Sequence, residues 1–256
     1  MKTEILKIND KFKIRLLKHR ADFYRGREWE KERLNSMWKN INKHDVVYYI
    51  GAEQGEMPAL CQKWGAKVCL FEPNYTAWRS IYETWRINKL KRPLGLFAMF
   101  VGSETNLEPK NPDKDILDGE GWKLIDNPNS KMNNYPRYAE LNLTEDSRFS
   151  ELHNEKDGLP IVSIDEVVMH TKGPTIISID VEGAELEVLK GAENTILTYL
   201  PKIYLSIHPR FLKEYWKTSE NKVLKWLYDR GYEGELLADV HEKHYLMTPR
   251  TDNVLV

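Results

Sequence analysis

Runs of apolar residues alternate with helical patterns over most of the chain after residue 44. Compact runs rich in β-branched and aromatic residues predict buried strands at residues 46–50, 67–71, 94–101, 175–179 and 202–207. Apolar residues at helical spacing predict helices at residues 57–64, 76–88, 185–198 and 223–229. Closing strands are expected at 244–256. This alternation predicts βαβ units, and therefore a mostly parallel sheet that binds ligands at the carboxyl ends of its strands.

Two segments depart from this alternation. Residues 1–44 carry loosely periodic apolar residues among many Lys, Arg and Glu, and we predict an N-terminal helical arm separate from a main domain at 45–256. The arm would cover a cleft or contact a second copy of the chain. Residues 104–160 are rich in Asn, Pro, Asp, Lys and Gly, which predicts a loop-rich insertion. Its Trp122, Tyr135 and Tyr138 could stack on a flat substrate face, or could bury themselves locally.

Candidate ligand-binding residues follow the first two strands. The first strand ends in the turn Gly51-Ala52-Glu53-Gln54-Gly55, whose glycines allow close approach of a ligand. An ordinary strand-to-helix turn is the alternative, because the spacing is not G-x-G-x-x-G. Glu72 closes the second strand, where an acid can accept hydrogen bonds from both hydroxyls of an adenosine ribose or can stabilise a helix N-terminus. Together, the glycine turn and Glu72 favour a nucleoside cofactor, but they do not distinguish NAD from S-adenosylmethionine.

Acidic residues and a histidine follow two later strands. Asp180 and Glu182 come directly after the strand at 175–179, and a functional role is favoured for Asp180, whereas Glu185 is interpreted as a helix cap. His208 follows the strand at 202–207 and precedes Pro209, at the expected rim of the cleft. Its ordinary pKa suits proton removal at neutral pH, and a histidine bonded to a backbone carbonyl is the alternative. Asp180, Glu182 and His208 are also a conceivable divalent metal set, but we expect no metal because nothing in the sequence fixes their mutual distances.

At these residues the chain resembles the FkbM family of methyltransferases. The resemblance runs from residue 45 to about residue 245, and its most specific part is Ile179-Asp180-Val181-Glu182-Gly183-Ala184-Glu185 followed by Val188-Leu189-Lys190-Gly191-Ala192. Further matching segments are Phe71-Glu72-Pro73-Asn74, Ile164-Asp165, Ile207-His208-Pro209 and Asp229-Arg230-Gly231-Tyr232.

The resemblance implies a Rossmann-like class I methyltransferase fold of the α/β class, with a mostly parallel seven-stranded sheet. It implies S-adenosylmethionine as cofactor and O-methylation of a hydroxyl of a saccharide or other small molecule. His208 is then the candidate base, with Asp180 and Glu182 as its catalytic neighbours. Cofactor contacts are expected from Tyr49, Gly51, Ala52, Glu53, Gly55, Glu72, Pro73, Asn74, Gly102, Ser103 and Asp180.

Departures from the family pattern motivate other readings. Tyr49 stands where the family usually has an acid that holds the amino group of the cofactor, and Glu53 could replace that charge. Ser178 stands where Lys is common. A catalytically silent domain that binds a nucleoside or a protein is therefore one alternative. An NAD-dependent oxidoreductase is another, although the glycine spacing and the lack of a suitably placed Tyr-x-x-x-Lys pair count against it.

Composition limits the partners. The net charge is −1 with 38 basic and 39 acidic residues, so no broad positive field would attract nucleic acid or an anionic membrane. No apolar run approaches membrane-spanning length, and the charged N-terminus carries no apolar signal core, so we expect a cytoplasmic protein. Two cysteines cannot form a disulfide framework. We therefore expect a small-molecule or saccharide acceptor and no nucleic-acid or membrane partner, and a homo-oligomer is possible.

Overall fold

The computed structural model describes residues 2–74, 77–105 and 161–250. Its strands are β1 (Thr3–Ile8), β2 (Phe12–Leu17), β3 (Val46–Ile50), β4 (Lys67–Phe71), β5 (Gly95–Phe97), β6 (Phe100–Val101), β7 (Ile161–Val162), β8 (Ile176–Ile179), β9 (Lys202–Ile207), β10 (Tyr232–Asp239) and β11 (Lys243–Pro249). Its helices are α1 (Lys18–Tyr24), α2 (Lys31–Asn40), α3 (Glu56–Lys63), α4 (Ala77–Ile87), α5 (Ile164–His170), α6 (Glu185–Lys190), α7 (Glu193–Tyr199), α8 (Pro209–Glu214) and α9 (Glu220–Tyr228). All but the first two residues of the predicted insertion at 104–160, including Trp122, Tyr135 and Tyr138, lie outside the described residues.

The main sheet confirms the predicted architecture. Within the described part of the chain, seven strands are ordered β10-β11-β9-β8-β3-β4-β5. The pairs from β9 through β8, β3 and β4 to β5 are parallel, and β11 runs antiparallel to both β9 and β10. Strand order reverses on either side of β3, which is where an open α/β sheet forms its ligand crevice.

The two faces of the sheet carry separate apolar cores. Residues of β3 alternate between them: Tyr48 and Ile50 pack with Val188 and other residues on one face, whereas Val47 and Tyr49 pack on the other. All five residues of β3 are buried, as expected for a central parallel strand covered by helices on both sides.

The prediction of an N-terminal helical arm was wrong. The segment begins with the antiparallel hairpin β1–β2, and only then forms α1 and α2. In β2 the buried residues Phe12, Ile14 and Leu16 alternate with exposed basic ones, which is the period of a strand half-covered by a core. These side chains join the same apolar cluster as Tyr49 of the main sheet, so the segment is part of the body of the protein.

Three predicted elements have different bounds in the structure. The strand expected at 94–101 is split: β5 joins the main sheet, and β6 pairs in parallel with β7 in a separate two-stranded sheet. The helix expected at 185–198 is interrupted between α6 and α7. The predicted closing strands began too late, because β10 and β11 together span 232–249.

Candidate functional site

A cavity of about 800 Å³ opens at the carboxyl ends of the central strands. Its size is typical of small-molecule and cofactor sites, which lie at this edge of open α/β sheets. The residues that line it are Arg20, Phe23, Arg27, Trp29, Glu30, Ile50, Gly51, Glu53, Gln54, Phe71, Glu72, Pro73, Asn74, Ala77, Met99, Phe100, Val101, Asp180, Val181, Glu182, His208, Pro209, Arg210, Phe211, His241 and Glu242.

The turn at Gly51 holds three strand ends together. The backbone N–H groups of Gly51 and Ala52 both donate to the Phe71 carbonyl at 3.0 Å, and the Asp180 N–H donates to the Ile50 carbonyl at 3.0 Å. Gly51 has φ +86°, and a Cβ atom there would lie 1.9 Å from the Asp180 backbone oxygen. Only glycine fits this position, because any side chain would be strained and would push the end of β8 away.

Glu72 points both of its carboxylate oxygens at backbone donors. Oε2 accepts from the Glu53 N–H at 2.7 Å and Oε1 accepts from the Asn74 N–H at 2.8 Å. Burial raises the pKa of Glu72 to about 7, although these two hydrogen bonds oppose the rise. A carboxylate offers about four acceptor positions, so each oxygen keeps capacity for one further donor, such as a ribose hydroxyl.

Asp180 is held by a buried arginine from the N-terminal segment. Arg33 of α2 is 1% exposed, and its Nη1 donates to Asp180 Oδ2 at 2.9 Å and to Glu30 Oε2 at 2.6 Å. Its Nη2 donates to Ser178 Oγ at 2.7 Å. Burial and the nearby Glu242 carboxylate raise the pKa of Asp180. Ser178 at the end of β8 thus accepts from an arginine that the N-terminal segment supplies.

His208 lies inside a group of carboxylates. Its Nδ1 is 2.8 Å from Glu185 Oε1, and its Nε2 is 3.6 Å from Asp180 Oδ1, 3.4 Å from Glu182 Oε2 and in close contact with Glu242 Oε2. Burial alone would lower the pKa of His208, but the hydrogen bonds to Glu185 and Glu242 raise it to about 12. In this environment the imidazole keeps its proton at neutral pH and acts as a donor, which argues against the predicted role of a free base.

Glu182 and Glu242 have contrasting environments. Burial raises the pKa of Glu182 to about 8. Its side chain is 27% exposed and lines the cavity. The pKa of Glu242 is lowered: burial opposes this change, but the hydrogen bond to His208 outweighs it. Glu182 also has φ +53°, a left-handed conformation that is strained for any residue other than glycine and often occurs at functional sites.

Most, but not all, predicted site residues lie at this cavity. Those that line it are Gly51, Glu53, Glu72, Pro73, Asn74, Asp180, Glu182 and His208. The predicted contacts from Tyr49, Ala52, Gly55, Gly102 and Ser103 are not part of its wall.

Strand geometry explains these exceptions. Tyr49 points to the opposite face of the sheet, where its ring lies 5.8 Å from the Arg33 guanidinium. Ala52 is buried in the same apolar core. Gly55 directly precedes α3 and packs against Ile81 of α4. Phe100 and Val101 of β6 still line the cavity, but Gly102 packs against Ile161 and Gly191, and Ser103 also lies beside Gly191.

Sequence reasoning missed two contributors to the site. Arg20, Phe23, Trp29 and Glu30 come from a segment whose sequence gives no sign of a ligand site. Glu242 lies in the turn between β10 and β11, and only its position beside two histidines, in His241-Glu242-Lys243-His244, could have drawn attention.

Comparison with known proteins identifies the family. Residues 45–233 match the family model described as the methyltransferase FkbM domain, and the chain therefore belongs to the FkbM methyltransferase family. It is a methyltransferase with a Rossmann-like fold, and the cofactor of this class is S-adenosylmethionine. No curated protein matches the sequence.

Three solved structures that match this chain are distant from it in sequence. An FkbM methyltransferase from Methylobacillus flagellatus KT is 18% identical with a TM-score of 0.48, and the match covers 80% of this chain but only 43% of that protein. A precorrin-6y C5,15-methyltransferase from Geobacter metallireducens GS-15 is 13% identical with a TM-score of 0.47, over 86% of this chain and 87% of the other. TrmK from M. capricolum, solved with S-adenosylhomocysteine, is 12% identical with a TM-score of 0.42, over 86% and 68%.

The cavity is lined by both polar and apolar groups. Glu72 keeps free acceptor capacity for a ribose diol. Phe71, Ala77 and Met99 add apolar surface that suits a purine ring. Among the described helices, none has both the length and the apolar character needed to cross a membrane.

Proposed function

We propose that this protein transfers the methyl group of S-adenosylmethionine to a hydroxyl oxygen of a saccharide or other small molecule. The observation that carries the proposal is one cavity with two chemically different walls. Glu72 and the Gly51 turn form a wall suited to a nucleoside, and the cluster around His208 forms a polar wall suited to a hydroxyl and its proton.

Bound S-adenosylmethionine supplies an electrophilic methyl carbon: the acceptor oxygen forms the new O–C bond as the C–S electron pair returns to sulfur, leaving S-adenosylhomocysteine. The residues of the chain orient the two reactants, which is worth roughly 7–11 kcal/mol of the barrier at the favourable limit. Glu182 is the most exposed carboxylate of the His208 cluster, and we assign it the acceptor's proton. Because its pKa is about 8, the carboxylate form that accepts the proton becomes the main form only above that pH. His208 donates hydrogen bonds that keep the carboxylates in place.

Aromatic and basic side chains of the N-terminal segment suit a polar acceptor. Phe23 and Trp29 line the cavity, with ring centroids 5.1 Å apart. The guanidinium groups of Arg20 and Arg27 each lie 4.9 Å from the Phe23 ring. Aromatic faces stack on sugar rings, and guanidinium groups donate to their oxygens. The balanced net charge of −1 favours such an acceptor over nucleic acid.

A methyl-transfer assay tests the proposal. The protein is incubated with methyl-labelled S-adenosylmethionine and a panel of saccharides and small hydroxyl compounds, and labelled product is measured. We expect transfer to a hydroxyl acceptor, loss of transfer in Glu72→Gln, and unchanged transfer in Glu187→Gln, which removes a carboxylate whose partner is the exposed Lys190. If S-adenosylmethionine binds but no acceptor class is methylated, the silent-domain alternative replaces the enzyme. If it does not bind, the cofactor assignment fails.

A further inference from the structure

Three side chains from distant parts of the chain converge beside the cavity. Asp180 follows β8, His208 follows β9, and Glu242 lies between β10 and β11. One ligand-type atom from each residue lies within 4.8 Å of the other two. Residues His208 and Glu242 are 9% and 6% exposed, so the cluster is built into the protein rather than spread over its surface.

A second carboxylate fixes the orientation of His208. Its Nδ1 bonds to Glu185 Oε1 at 2.8 Å, and Glu185 is fully buried and also accepts from the Gly183 N–H at 3.0 Å. Nε2 is therefore aimed at Asp180 and Glu242. Metal-binding histidines characteristically donate their other ring N–H to a carboxylate, which sets the tautomer and leaves the second nitrogen for the ion.

Glu242 is oriented from its other side. Its Oε1 lies 3.2 Å from His241 Nε2 and 3.3 Å from His244 Nε2, while Oε2 faces His208. His244 is buried, and its Nδ1 is 3.0 Å from Ser206 Oγ. A carboxylate with supporting contacts on one oxygen and the other oxygen facing the cluster has the arrangement expected of a ligand held by outer partners.

The charges of the cluster are unbalanced. Four carboxylates surround the single imidazole of His208. Arg33 also contacts Asp180, but it divides its charge between that residue and Glu30. Buried carboxylates need compensating positive charge, and a divalent cation would supply it where the carboxylates are closest together.

We propose that Asp180, His208 and Glu242 bind one divalent metal ion at the wall of the cavity, through one oxygen of each carboxylate and Nε2 of the imidazole. The ion would displace the proton that Nε2 carries in the metal-free protein, and Nδ1 would keep its own proton and its bond to Glu185. This mixed oxygen and nitrogen set suits first-row ions such as Mn²⁺ or Fe²⁺ better than Ca²⁺, which prefers oxygen ligands alone. The role of the ion rests on the proposed function: it would coordinate the acceptor hydroxyl and lower the pKa of that hydroxyl. This replaces the expectation of no metal that the sequence suggested.

Titration of the chelator-treated full chain with Mn²⁺, followed by electron paramagnetic resonance, tests the proposal. Bound Mn²⁺ loses the six-line signal of the free ion, and we expect one bound ion for each chain. Glu242→Gln should raise the Kd by at least about tenfold. Glu166→Gln is the matched control, because Glu166 Oε1 lies 3.2 Å from His170 Nε2 on the surface and neither residue lines the cavity, so its loss should leave Mn²⁺ binding unchanged.

A second readout does not depend on whether variants fold. Pulsed resonance of the Mn²⁺-loaded wild type should show ¹⁴N coupling from a directly bound imidazole. No Mn²⁺ binding, binding without ¹⁴N coupling, or equal binding by folded Glu242→Gln would overturn the metal site and leave His208 as a structural counter-ion. S-adenosylmethionine binding is measured separately: if it binds while Mn²⁺ does not, the metal proposal alone fails, and the reverse result removes the proposed function but keeps the metal site.

Discussion

Replacing Arg33 with methionine tests how the N-terminal segment is joined to the site. Arg33 is 1% exposed and bonds Glu30 at 2.6 Å, Asp180 at 2.9 Å and Ser178 at 2.7 Å. Methionine keeps much of the apolar stem but leaves two largely buried carboxylates without their cation. Removing one partner of a buried ion pair typically costs about 3–5 kcal/mol. For a protein of this size each kcal/mol lowers Tm by about 2–4 °C, so we expect a drop of roughly 6–20 °C.

Thermal unfolding followed by circular dichroism measures this effect. Arg25→Met is the matched control, because Arg25 bonds Glu4 at 2.7 Å with both side chains exposed, at 51% and 37%. Exposed ion pairs contribute about 0–1 kcal/mol, so the control should be nearly neutral. Adding Glu30→Gln to Arg33→Met removes one of the two stranded charges and should recover part of the loss. If the free energies of unfolding of Arg33→Met and Arg25→Met differ by less than about 1 kcal/mol, the buried network does not stabilise the fold.

Three further changes separate cofactor binding from stability. Gly51→Ala places a Cβ 1.9 Å from the Asp180 backbone oxygen in a left-handed conformation. Calorimetry should show weaker S-adenosylmethionine binding, and the free energy of unfolding should fall by at least about 1–2 kcal/mol relative to the wild type. Unchanged values of both would contradict the tight turn. Because the pKa of Glu72 is about 7 and the carboxylate is the form that binds the ribose diol, affinity should fall about tenfold from pH 8 to pH 6, and Glu72→Gln should abolish that dependence. Asp165→Ala removes the acceptor of the Thr195 N–H at 2.8 Å, so urea unfolding should show a loss of about 0.5–2 kcal/mol with unchanged cofactor affinity.

The four central strands β3, β4, β8 and β9 were predictable because each is recognisable from its own residues. The fully buried strand β3 is a continuous apolar run, and the turn at Gly51 and the acid at Glu72 follow the ends of such runs. Parallel strands bring their carboxyl ends to one edge, so local patterns were sufficient to place Gly51, Glu72 and Asp180 at one cavity.

The remaining half of the site depends on long-range contacts. Arg33 and Asp180 are 147 residues apart in sequence, and nothing near Arg33 distinguishes it from other basic residues of the segment. The hairpin β1–β2 was missed because its basic residues Lys7, Lys13 and Arg15 made it resemble the charged helical sequence that follows, although Phe12, Ile14 and Leu16 alternate with period two. Glu242 reaches His208 only because β11 inserts antiparallel between β9 and β10. Sheet order of this kind is set by tertiary packing and leaves no mark on the local sequence.

Calorimetric titration of the purified chain with S-adenosylmethionine, and separately with NAD, tests the central claim most directly. The cavity beside Gly51, Glu72 and Asp180 should bind one S-adenosylmethionine for each chain, with weaker binding in Glu72→Gln and no heat from NAD. Binding of NAD without S-adenosylmethionine, or full S-adenosylmethionine affinity in Glu72→Gln, would contradict the account.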